Sequence, residues 1–107
     1  MKASVKVDIE GLKALESWID TTYELFEVNR QPNDLTMRIY QHCFNEARLI
    51  CRRKIAGFDG QKFLRISFNE AQSCSLLRVW GQYRTEIDRA NLMFLRNVMG
   101  IIHRQII

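Results

Sequence analysis

Proline occurs once in this chain of 107 residues, glycine five times and histidine twice. With so few breakers, little interrupts long helices. No stretch stays apolar for the ~18 residues that a membrane span needs. Residues 1–8 lack the apolar core of a secretory leader. These absences predict a cytoplasmic protein with no membrane association. The cysteines point the same way. Cys43, Cys51 and Cys74 are odd in number and fall at apolar periodic positions, which predicts buried, unpaired thiols in a reducing compartment.

The motifs of catalysis are missing too. There is no Gly-rich phosphate loop, no G-x-S-x-G elbow and no H-E-x-x-H or E-x-x-H pattern. His42 and Glu46 stand one helical turn apart and could both touch a metal, but a metal site needs further ligands from elsewhere. Cys43 and Cys51 would lie ~12 Å apart along a helix, too far for one disulfide or one zinc. Cys43 follows His42 directly, and neighbours on a helix diverge by ~100°. The sequence therefore predicts no enzyme, no metal site and no cofactor.

What is present is an ordinary globular composition, 47% hydrophobic and 26% charged. That is enough apolar surface for a core without disulfides, and the length suits one domain over residues 1–107. Hydrophobic periodicity predicts four helices. The first spans about 8–28, with Asp8 as its cap and Leu12, Leu15, Trp18 and Ile19 inward. Pro32 keeps Gln31 out of a helix. The second spans about 34–56, starts at Asn33 or Asp34 and stops at Gly57. Its apolar arc holds Ile39, Cys43, Phe44, Ala47, Ile50 and Cys51. The third starts at Asn69, turns Leu76, Val79, Trp80 and Tyr83 inward, and breaks near Gly81. The fourth runs from about Thr85 to the C-terminus. Residues 62–68 and the valines at 5 and 7 instead alternate with period two. The expected fold is mostly α, an antiparallel bundle of about four helices, to which a short two-stranded β ribbon near 3–7 and 62–68 can be added. No stretch of sequence repeats another.

Net charge is +4 but uneven. Residues 1–34 hold seven acids and four bases; the remainder holds five acids and twelve bases. Either an acidic first helix lies beside basic helices of the same chain, or the basic part meets an anionic partner. Eleven of the 16 bases are arginine, whose planar fork suits phosphate. Arg38, Arg48 and Arg52 share ~80° of the second helix, with Arg53 just beyond, and Arg89, Arg96 and Arg104 gather on the polar side of the fourth. These seven are the candidate nucleic-acid contacts. The aromatics mostly sit on apolar arcs and do not interleave with these arginines, as a platform for single-strand stacking would require.

The fourth helix carries the widest apolar arc, about 200° where ~100° is usual. Asn91 lies within that arc, where a polar residue can set the register between helices. Leu92, Met99, Ile106 and Ile107 are the candidate contacts with a second copy or a protein partner. The function expected first is a non-enzymatic helical interaction protein that self-associates through its last helix. The alternative is a nucleic-acid-binding accessory or regulatory protein that uses the arginine stripes.

Overall fold

The structure, a computed structural model, describes residues 2–28, 35–83 and 89–107, and of 26–28, 82–83 and 89–90 the backbone alone. Its elements run β1 (Lys2–Val7), α1 (Ile9–Val28), α2 (Leu35–Ala56), β2 (Leu64–Asn69), α3 (Glu70–Tyr83) and α4 (Arg89–Ile106). The chain is mostly helical, with one two-stranded antiparallel sheet. The expected turn at 29–33, the cap at Asn33 or Asp34 and the start near Thr85 lie outside the described residues.

Period two makes the sheet. Ala3, Val5 and Val7 of β1 and Leu64, Ile66 and Phe68 of β2 all point into the core. The register pairs Ala3 with Phe68, Val5 with Ile66 and Val7 with Leu64. Lys2, Ser4 and Lys6 therefore share the outer face with Arg65, Ser67 and Asn69. The outer edge of β1 is closed by a side chain of α4. Gln105 Oε1 accepts the Ser4 N–H at 2.8 Å, and Gln105 Nε2 donates to the Ser4 carbonyl at 2.7 Å. One carboxamide thus replaces one residue of a third strand.

Each strand passes straight into a capped helix. Asp8 Oδ1 accepts the Gly11 N–H at 2.7 Å. On the other side Asn69 Oδ1 accepts from Gln72 N at 2.8 Å, and Gln72 Oε1 accepts from Asn69 N at 3.0 Å, a reciprocal capping box. α2 ends at Gly57, whose N–H reaches the Arg53 carbonyl at 3.0 Å. Gly60, at φ 97°, supplies the left-handed residue that turns the chain towards β2.

The element order is β-α-α twice. Asp8 and Asn69 correspond as caps. Leu15 and Leu76, Trp18 and Val79, and Ile19 and Trp80 follow them at equal spacing and are all buried. α2 packs beside β2 and α4 beside β1, while α1 pairs with α2 and α3 with α4. The sequence shows no repeat because only the burial pattern recurs, not the residue types. Across the middle, Trp18 meets Phe44 and Trp80 edge to face, at centroid distances of 5.7 and 5.5 Å.

Three expectations are corrected. Ile39 stands on the outer flank of α2, 64% exposed, beside Leu35 at 70%. Cys74 is exposed, while Cys43 and Cys51 are buried. Its neighbours Ser73 and Ser75 are buried instead, bonding through their hydroxyls to the carbonyls of Phe68 (3.4 Å) and Tyr40 (2.8 Å). α3 is wedged between the sheet, α2 and α4, so its buried arc is wider than its apolar residues reveal. Asn91 is half-buried rather than enclosed.

Candidate nucleic-acid interface

Among the described residues, two groups of cations have contrasting surroundings. Arg48 and Arg52 of α2 face the acids of α1. Arg48 Nη1 lies 3.2 Å from Asp20 Oδ1, Arg52 Nη2 lies 2.5 Å from the same oxygen, and Arg52 Nε lies 3.1 Å from Glu16 Oε1. Arg48 also donates to Asn45 Oδ1 at 2.6 Å, and its guanidinium lies 4.0 Å from the Tyr23 ring centroid. The hydrogen bond to Glu16 raises the Arg52 pKa above its ordinary value. The two arginines at the centre of the expected α2 stripe thus strap α2 to α1. Part of the charge asymmetry of the sequence is settled inside the chain.

The rest of that stripe is dispersed. Arg38 is exposed towards the start of α2. Arg53 is exposed at its end, where it lines a shallow cleft of about 370 Å³ with Ile50 and Lys54. On α4, Arg96 and Arg104 are exposed, and the side chain of Arg89 lies outside the described residues.

The second group was not among the expected contacts. The outer sheet face carries Lys2, Lys6 and Arg65, all exposed, with Ser4, Ser67 and Asn69 between them. The register sets Lys6 directly opposite Arg65. The Ser4 and Ser67 hydroxyls bond to each other at 2.8 Å. Through Gln105 this face adjoins α4, where Asn97 and Arg104 follow on the helix wheel. Residues 2–7, 64–69 and 89–107 contain no aspartate or glutamate. The signal was present in the sequence, because the alternation that turns Val5 and Ile66 inward turns Lys6 and Arg65 outward. Seeing it required the pairing register.

No known protein family, curated protein or solved structure matches the chain.

The expected self-association flank is also redistributed. Met99 is 2% exposed and belongs to the chain's own core. Leu92 and Ile106 are half-buried and pack against that core. Ile107 is 84% exposed, and Met93, which sequence reasoning passed over, is 58% exposed. The wide apolar arc has an internal reason: α4 meets β1, α3 and α1, and the sheet is a neighbour that a plain four-helix bundle lacks.

His42 is exposed and Glu46 half-buried on α2. Among the described residues no three His, Cys, Asp or Glu side chains gather as metal ligands. Burial, and secondarily the Glu46 charge, raises the Cys43 pKa. Burial pushes Cys51 up to about 12, with help from the Glu16 charge. Both shifts favour the protonated thiol over the reactive thiolate. No helix among the described residues is long and apolar enough to cross a membrane.

Proposed function

We propose that this is a small non-enzymatic binding protein that takes nucleic acid on the outer sheet face and the adjoining surface of α4. One observation carries the reading: Lys6 stands opposite Arg65 on a strand pair, residues 2–7 and 64–69, whose outer side chains include no acid. Like charges placed directly across two strands are destabilising. On α2, by contrast, Glu16 and Asp20 neutralise Arg48 and Arg52. Cations left unopposed along a strand pair and a helix suit a ligand with regularly spaced negative charge. Phosphate neutralisation then supplies affinity without base specificity. The free cysteines fit a reducing, cytoplasmic setting.

The test is retention on immobilised DNA and RNA between about 50 and 200 mM salt, where phosphate-driven affinity falls steeply. Lys6→Ser with Arg65→Ser should weaken binding and lower the salt slope. Arg53→Ser with Lys54→Ser, on the far end of α2, should do so less. Wild-type protein that elutes from both polymers at the lowest salt would refute the proposal.

A second reading, self-association through α4, is favoured by the exposed Met93 and Ile107. It has less support than the first. Two copies of α4 brought face to face would bring Arg96 and Arg104 of one copy near those of the other, with no acid on either helix to separate them. Sedimentation at high protein concentration tests it, and a monomer there would exclude it.

A further inference from the structure

We propose that the nucleic acid is single-stranded and that Phe63 is the ring on which one of its bases stacks. The inference rests on the polyanion reading above and adds the form of the ligand. Phe63 immediately precedes β2 and shares the outward parity of Arg65 and Ser67. It is 48% exposed, although phenylalanine is costly to leave in water. Its ring lies within reach of two ammonium groups, Lys6 Nζ at 4.8 Å and Lys62 Nζ at 5.6 Å from the centroid. A large apolar ring therefore stands at the end of a cationic row, held by cations that can leave it. A nucleotide offers both kinds of group a better partner. Its phosphate draws the ammoniums, and its base replaces them over the ring.

The geometry favours one strand over two. In a duplex the base faces are already stacked on one another, so a protruding ring meets only sugar and phosphate. A single strand presents its bases singly and can lay its backbone along Lys6 and Arg65. The face itself is two strands wide, about 5 Å between strand axes, and six residues long, about 20 Å. That is a track for one chain. The Ser4–Ser67 hydroxyl pair and the Asn69 amide lie along it and can donate to phosphate or base edges without selecting a sequence.

The experiment measures fluorescence anisotropy of a labelled 12-mer oligo-dT, the same length of duplex DNA, and a labelled poly-glutamate of equal charge, with wild type, Phe63→Ala, Phe63→Leu and Lys6→Ser/Arg65→Ser. Phe63 is exposed, so its variants should keep the wild-type circular dichroism and melting temperature. Expected are tighter binding of oligo-dT than of duplex, a roughly tenfold loss on Phe63→Ala, and a similar loss on Phe63→Leu, which keeps apolar bulk but no ring. Equal binding of duplex and oligo-dT, with Phe63→Ala neutral and the Lys6/Arg65 variant still weakened, overturns the single-strand inference and spares the polyanion reading. Poly-glutamate bound as tightly as oligo-dT also overturns it. Failure of the wild type to bind any of the three at low salt overturns both.

Discussion

Adding one methyl group at Gly11 should loosen the joint between α1 and α4. A Cβ at this position would stand 2.5 Å from Phe94 Cζ, 2.8 Å from Phe94 Cε2 and 2.9 Å from Asp8 Oδ1. Ordinary carbon contacts begin near 3.5 Å, so Gly11→Ala forces the ring or the backbone to move. Overpacking of this kind costs about 1–3 kcal/mol. Disturbing the Asp8 cap, whose oxygen already holds the Gly11 N–H, adds up to ~1 kcal/mol. Against this, alanine gains about 1 kcal/mol of helix propensity over glycine. The balance is a net loss of about 0–3 kcal/mol, whose midpoint of ~1.5 kcal/mol corresponds to a fall in melting temperature of roughly 6–12 °C for a domain of this size. Thermal melts followed by circular dichroism would measure it. Phe94→Leu should be less harmful in the Gly11→Ala background than in wild type, with a coupling of at least about 0.5 kcal/mol. A Gly11→Ala protein that melts higher than wild type would mean that helix propensity alone governs the site and that Phe94 does not lie over it.

The thiols should react in the order Cys74, Cys43, Cys51 with a polar maleimide, and Cys51 should react only on unfolding. Because the folded-state pKa of Cys51 is about 12 against 9.0 for the free thiol, its contribution to stability is intact below pH 9 and is lost as pH rises from 9 towards 12. Urea titrations of wild type and Cys51→Ala should therefore converge across that window, by up to ~1.4 kcal/mol per pH unit, and parallel pH profiles would contradict the burial of this thiol. Asp20→Ala removes the acceptor shared by Arg48 and Arg52 and should lower the melting temperature modestly, because the group is partly exposed, with part recovered by adding Arg48→Ala; additive effects of the two would show that the strap is not a unit. Arg48→Glu with Arg52→Glu, which would set two new acids beside Glu16 and Asp20, should lower the melting temperature whether or not the protein binds nucleic acid.

Local chemistry made much of the fold legible. Asp8 and Asn69 were recognisable as caps because a short polar side chain preceded an apolar helical period in each case. The ribbon was legible because Leu64, Ile66 and Phe68 alternate as cleanly as Val5 and Val7. Quantities set by packing between distant segments were not legible. The arginines at 48 and 52 looked like a free stripe until α1 was laid beside them. Met99 looked available because the sheet that flanks α4 was not counted among its neighbours. Ser73 and Ser75 carry no apolar signal to mark them as core, yet carbonyls of β2 and α2 satisfy their hydroxyls and allow them inside. The candidate site was hidden for a similar reason. Lys6 and Arg65 are 59 positions apart in the chain and become neighbours only through the strand register.

The bond between Ser4 and Gln105 has a consequence for how the protein is made. The two residues are separated by 101 positions, and β2 itself is completed only at Asn69. At about 5–20 residues per second, β1 leaves the ribosome seconds before its pairing strand and longer still before the carboxamide that closes its edge. During that interval Ala3, Val5 and Val7 form an apolar strand with both sides unpaired, a template for wrong pairing. The lysines at 2 and 6 are the residues that guard it: charge interleaved with the valines keeps a waiting strand from recruiting another of its kind. The two side chains that interrupt the apolar run of the waiting strand are also those that line the outer face of β1 in the finished sheet.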